Sequence, residues 1–250
     1  MFARWFRTMA APHWLGLFGL VVAGWVALYL MAIPADLRSL SRIYGAEFWA
    51  ELCRVTPDGA GAAKLWAMWA LMSAAMMLPT ALPALATYDD LPTTKADFAA
   101  LSGGYLAIWL GFSAVAALAQ LGLWQMGLVD QTGLSLSRIL SGALLIGAGV
   151  YQFTALKNAC VSKCRAPLAF VMDHWSDGPW RLGLRLGAVC LGCCWALMAL
   201  AFVGGVMSLA FMGLATLLMV FEKLPSLGDR LTRPLGFGLI GAGALVLAGL

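Results

Sequence analysis

GLRLGAVCLGCCWALMALAFVGGVMSLAFMGLATLLMVF, residues Gly183 to Phe221, runs for 39 residues with Arg185 as its only charge. As one helix it would be about 60 Å long, twice a bilayer core of about 30 Å. Gly204-Gly205 near its middle supplies the residues of a tight turn. The run therefore divides into two hydrophobic helices, near Gly183–Val203 and Val206–Phe221. A single apolar helix is ambiguous between a buried core and a membrane span, but two in succession point to lipid.

The rest of the chain repeats this pattern. Apolar runs cover His13 to Ile33, Ala62 to Leu85, Ala99 to Leu128, Leu136 to Leu156 and Pro234 to Leu250. Of 250 residues, 62% are hydrophobic and 11% charged, whereas soluble domains carry about 25% charge. The expected fold is all-α: a polytopic transmembrane bundle of about seven spans, one membrane domain over residues 1–250. Arg4 and Arg7 before the first run also describe a signal peptide, which would leave six spans. That run is too long for a usual h-region and no small-x-small site follows it, so a retained helix is expected. Pro79 and Pro83 are expected to bend or end the last turn of the second helix. Residues 34–61 form a polar extracytoplasmic loop and 157–182 a cytoplasmic loop that contains cysteines.

Seven spans divide the basic residues unequally. Arg4, Arg7, Lys95, Lys157, Lys163, Arg165, Arg181, Arg185, Lys223, Arg230 and Arg233 share one side; Arg38, Arg42, Arg54, Lys64 and Arg138 share the other. Eleven against five places the N-terminus in the cytoplasm and the C-terminus in the periplasm of a bacterial inner membrane. The net charge of +4 reports this loop asymmetry, and no nucleic-acid partner is implied.

Five of the six cysteines form two clusters, Cys160-x3-Cys164 and Cys190-x2-Cys193-Cys194; Cys53 stands alone. Residues three and four apart share a helix face, which groups each cluster. Both fall toward the cytoplasmic half of the membrane, with Cys190 about 10 Å in. That side is reducing, so metal ligation is favoured over structural disulfides. Met68, Met72 and Met76 repeat every four residues, Met77 lies beside them, and Met198 follows Cys194 by one turn. Thiolate and thioether donors select a soft ion, Cu(I) first and Zn²⁺ in a four-thiol site second. The bland alternatives are that free Cys packs as a small hydrophobe and Met fills gaps. For the methionine stripe the packing reading comes first. His13 and His174 are too far apart for a histidine centre, and His174 reads as a loop residue. Trp66, Trp69, Trp175 and Trp180 read as interfacial anchors, and Glu222 and Lys223 as residues at the membrane surface.

Three segments resemble a bacterial family of predicted metal-binding integral membrane proteins, domain-of-unknown-function family 2182. They are Trp66-Ala-Met-Trp-Ala-Leu-Met-Ser-Ala-Ala-Met-Met-Leu-Pro-Thr80, then Leu156-Lys-Asn-Ala-Cys-Val-Ser-Lys-Cys-Arg-Ala-Pro167, then Gly187 through Cys190, Gly192, Cys193, Cys194, Trp195, Met198, Gly205, Met207 and Met212 to Glu222-Lys223. The resemblance implies a metal-binding membrane protein with a companion membrane or periplasmic protein as partner.

The expected function is binding of Cu(I) in transport, storage or delivery, by Cys160, Cys164, Cys190, Cys193, Cys194, Met68, Met72, Met76 and Met198. This is a binding role more than an enzymatic one. No nucleotide-binding motif supports an ATP-driven pump. One alternative is a membrane thiol-disulfide oxidoreductase, with Cys193 attacking and Cys160 or Cys164 resolving. Another is a structural subunit of a larger membrane complex.

Overall fold

Backbone N–H and C=O groups in apolar surroundings must pair within their own segment, and a helix is the element that does so. The computed structural model describes residues 12–32, 59–224 and 227–249; Cys53 and most of the polar 34–61 segment lie outside them. All regular structure among the described residues is helical, apart from one bridge between Val129 and Ser135. In chain order the helices are α1 Pro12–Ala32, α2 Gly59–Asp89, α3 Lys95–Gln125, α4 Arg138–Tyr151, α5 Ala155–Arg165, α6 Pro167–Asp173, α7 Pro179–Ala199, α8 Ala201–Gly204, α9 Leu209–Glu222 and α10 Gly228–Ala248.

Five helices are long and apolar enough to cross a membrane: α1, α2, α3, α7 continued through α8, and α10. The other two apolar runs are helical but depart from the expected spans. The fourth breaks after Tyr151, five residues earlier than expected, and α5 leaves at 62° to α4. Thr154 caps the new helix, its side chain accepting from Lys157 N–H, which starts a second helix where the apolar run still continues. The sixth, α9, has only 14 residues. The turn at Gly204-Gly205 is present, with Gly205 at φ +88°, a conformation that favours glycine.

α2 does not end at either proline but continues through both to Asp89. Pro79 removes the N–H that would bond Ala75 O, and Trp25 Nε1 of α1 donates to that carbonyl instead, at 3.1 Å. The neighbouring helix thus satisfies the group that proline orphans.

Cross-helix pairs give the directions. Trp14 with Asp89 and Trp25 with Ala75 run α1 antiparallel to α2. Trp69 with Gln120, Ser73 with Ser113 and Tyr105 with Met77 do the same for α2 and α3. α3 and α7 run parallel and nearly touch backbone to backbone. A Cβ on Gly183 would collide with the Leu101 carbonyl, and one on Gly187 would stand 2.9 Å from the Tyr105 carbonyl. Small residues let membrane helices approach this closely. That approach sets Tyr105 of α3 against Cys190, one turn beyond Gly187. Trp69 is not an interfacial anchor: it is wholly buried and donates to Gln120 Oε1 at 2.8 Å, whereas Trp66, Trp175 and Trp180 are exposed.

Gly183→Val should separate α3 from α7 and cost about 1–3 kcal/mol. Thermal unfolding in detergent measures it, with Gly16→Val, where a Cβ meets nothing within 4 Å, expected to be neutral.

Candidate metal centre

The Gly-rich face of α7 buries Cys190, Cys193 and Cys194 at the middle of the bundle, each 1–2% exposed. Cys190 lies eleven residues into α7, about 16 Å from its start at 1.5 Å per residue, deeper than the sequence suggested because the helix begins at Pro179. The three thiol sulfurs lie within 4.8 Å of one another, a spacing at which they could hold a metal ion. Cys193 Sγ is 3.2 Å from Cys194 Sγ. From α5, Cys164 Sγ reaches to 4.0 Å of Cys193 Sγ. Four sulfurs each about 2.3 Å from one ion stand roughly 3.8 Å apart, so these spacings suit shared ligation after small adjustments.

Cys160, one turn earlier on the same face of α5, meets α7 away from the three grouped thiols. It packs against Gly192, where a Cβ would stand 2.6 Å from its sulfur. Met68, Met72 and Met76 are buried along α2, and Met198 along α7. The thioether that approaches the cysteines through a shared contact is that of Met77. Thr80 Oγ1 is 4.0 Å from Met77 Sδ and 3.8 Å from Cys190 Sγ.

Around the thiols is a polar shell that the sequence reading assigned to loops or left aside. Lys223 Nζ donates to Cys190 Sγ at 2.9 Å and to Thr80 Oγ1 at 2.7 Å. The Tyr105 hydroxyl stands 3.1 Å from Cys190 Sγ and donates to Met77 O at 2.9 Å. Lys157, 1% exposed, donates to the Cys193 carbonyl at 2.6 Å and pairs with Glu222 Oε2 at 2.7 Å. Arg165 Nε caps the end of α9 through the Glu222 carbonyl at 2.9 Å. Glu222 and Lys223 are thus not exposed at a helix end: both are buried against neighbouring helices at the end of the 14-residue α9. The segment expected as a cytoplasmic loop folds as α5, α6 and a 3-10 turn at Trp175–Asp177, and α5 carries Lys157 inward. The sequence did offer one signal: Glu222-Lys223 and Lys157 fall within the quoted family motifs.

The charges nearly balance. Two buried ammonium groups and one carboxylate leave one net positive charge beside the thiols. A monovalent cation on two thiolates, or a divalent one on three, makes the buried group neutral, which avoids the large cost of an uncompensated interior charge.

Lys157→Met would leave the Glu222 carboxylate buried and unpaired, at a cost of about 3–5 kcal/mol. The double variant Lys157→Met/Glu222→Gln should regain most of that stability, read by thermal unfolding in detergent.

No curated protein and no solved structure matches the chain. A family model described as PpoB2, copper chaperone, matches residues 66–246, a stretch that contains α2 from Trp66 onward, all five described cysteines, and Lys157, Glu222 and Lys223. The chain therefore belongs to this family of copper chaperones.

Proposed function

We propose that the protein is an integral membrane copper chaperone that carries Cu(I) on buried thiolates of α7. The single observation behind this reading is the convergence of Cys190, Cys193 and Cys194 within 4.8 Å, inside a shell with one net positive charge. Sulfur donors favour a soft ion, and two thiolates with Cu(I) neutralise that shell. Zn²⁺ on three thiolates would balance charge equally well. With Cys164 4.0 Å from Cys193, the thiols also offer the four ligands of a closed zinc site, so their number does not separate the two ions. The family's description as copper chaperones supports copper over zinc, and delivery over storage.

Cys193 and Cys194, the closest pair, are the principal ligands. Lys223 holds the Cys190 thiol beside them by a hydrogen bond, and the buried methionines of α2, Met68, Met72 and Met76, serve packing first. Delivery requires a recipient, for which a companion membrane or periplasmic protein is proposed.

Five helices of sufficient length and apolarity support a membrane location, and seven apolar helical runs support seven crossings, the fourth broken and the sixth short. Lys157 and Lys223 are buried and do not count as loop charges. Without them the basic residues divide nine against five, which still favours a cytoplasmic N-terminus and periplasmic C-terminus in a bacterial inner membrane.

Protein purified without oxygen should hold about one copper per chain, bound by sulfur alone in X-ray absorption spectra. Cys193→Ser and Cys194→Ser should each abolish it, and Lys223→Met should weaken binding on the order of tenfold or more. A metal-free protein whose thiols titrate as a disulfide would point to the oxidoreductase reading instead. Separately, a membrane-impermeant probe applied to intact cells should label a cysteine placed after Leu250 and not one placed before Met1.

A further inference from the structure

The thiols sit on two helices of opposite character. α7 is apolar and its three cysteines are almost wholly buried. α5 is polar, with Lys157, Asn158, Ser162, Lys163 and Arg165 in 11 residues, and its two cysteines are half-buried. One face of α5 borders a cavity of roughly 740 Å³, lined in part by Asn158, Ser162, Arg165, Thr232 and Arg233. The cavity opens on the polar side of α5, next to the face whose cysteines meet α7, and neither Cys160 nor Cys164 lines it.

Exposure drops in one step, from half-buried Cys164 to the buried Cys193 and Cys194, each 1% exposed. Cys164 is half-buried and 4.0 Å from Cys193; Cys193 is buried and 3.2 Å from Cys194. Cys160, one turn earlier on the same helix, is packed on Gly192.

We infer that Cys164 is the exchange ligand of the site: the thiol through which Cu(I) passes between a thiolate donor in water and the buried Cys193–Cys194 pair. It is not a ligand of the resting complex. The inference rests on the copper reading of the site and adds a route to it.

The chemistry is ligand substitution with no change of oxidation state. The donor presents Cu(I) on a thiolate. The Cys164 thiol forms a Cu–S bond, the donor's Cu–S bond breaks, and the proton leaving Cys164 ends on the departing donor sulfur. The Cys193 and Cys194 thiols then each form a Cu–S bond. Cys164 is released as its Cu–S bond breaks; it takes up one of their two protons, and the other goes to water. At each stage the ion keeps a sulfur ligand, so no bare cation crosses the apolar interior, where it would pay the full desolvation cost. Cys193 and Cys194 are too buried for a bulky donor to reach directly, whereas Cys164 is not. The partner this geometry fits is one that carries Cu(I) on exchangeable thiolates and meets the protein at α5.

The test uses the full chain in detergent without oxygen. Copper is supplied as the Cu(I)–glutathione complex and removed by a chromophoric Cu(I) chelator, and both rates and the final copper content are measured. Cys164→Ser should reach the wild-type copper content while loading and unloading both slow on the order of tenfold or more. Cys164→Met, which keeps a soft donor, should recover part of the rate, and Cys160→Ser should change neither quantity. Wild-type rates in Cys164→Ser would overturn the inference by making the thiol a spectator. Loss of bound copper to the extent seen in Cys193→Ser would overturn it by making Cys164 a resting ligand. Wild-type protein that takes up no Cu(I) would overturn the copper reading itself, and the route with it.

Discussion

The buried pair of Lys157 and Glu222 is the contact on which the centre depends. It ties the first turn of α5 to the last residue of α9, while the same ammonium grips the carbonyl of Cys193 on α7. Three helices that differ in length and direction are thereby held to one register. Buried ion pairs seldom add net stability, since desolvating both charges offsets their attraction. Their use here is positional. With Glu222 anchored, the next residue, Lys223, is carried to Cys190, and with Lys157 anchored, α5 brings Cys164 to Cys193.

The broken and short helices follow from the same requirement. A straight fourth helix would have carried Lys157 and Cys164 away from α7 along the bundle axis. The cap at Thr154 and the 62° bend turn them inward. α9 ends at Glu222, whose carboxylate meets the ammonium that also holds the Cys193 carbonyl. Breaks in apolar helices are tolerated where surrounding protein satisfies the freed backbone groups, and here each one positions a charged or thiol side chain at the cluster.

Charge and softness act together in the centre. Soft donors alone would admit several ions, and a buried cluster of thiolates alone would be severely uncompensated. One surplus ammonium makes two thiolates with a monovalent ion, or three with a divalent one, the neutral arrangements. The Thr80 and Tyr105 hydroxyls complete the surroundings of Cys190. Tyr105 reaches it because α3 and α7 meet closely at Gly104 and Gly183, and Thr80 comes from α2.

Much of this was legible along the chain. Apolar length and spacing of small residues determined that the structure is helical and where each apolar run lies. The Gly204-Gly205 turn was readable because glycine alone suits that backbone, and the Cys190, Cys193 and Cys194 trio because helical periodicity is local. Three things were decided only in three dimensions. α2 passes through Pro79 because a tryptophan from another helix replaces the lost donor. Cys164 comes within 4.0 Å of Cys193 while Cys160, one turn earlier on the same face of α5, meets α7 at Gly192, because the position of α5 along α7 decides which of the two reaches the thiols. Lys157, Glu222 and Lys223 enter the core although their sequence suggests loop ends. A charge reveals by itself only that burial is costly, and whether a partner waits inside to offset that cost depends on residues dozens of positions away.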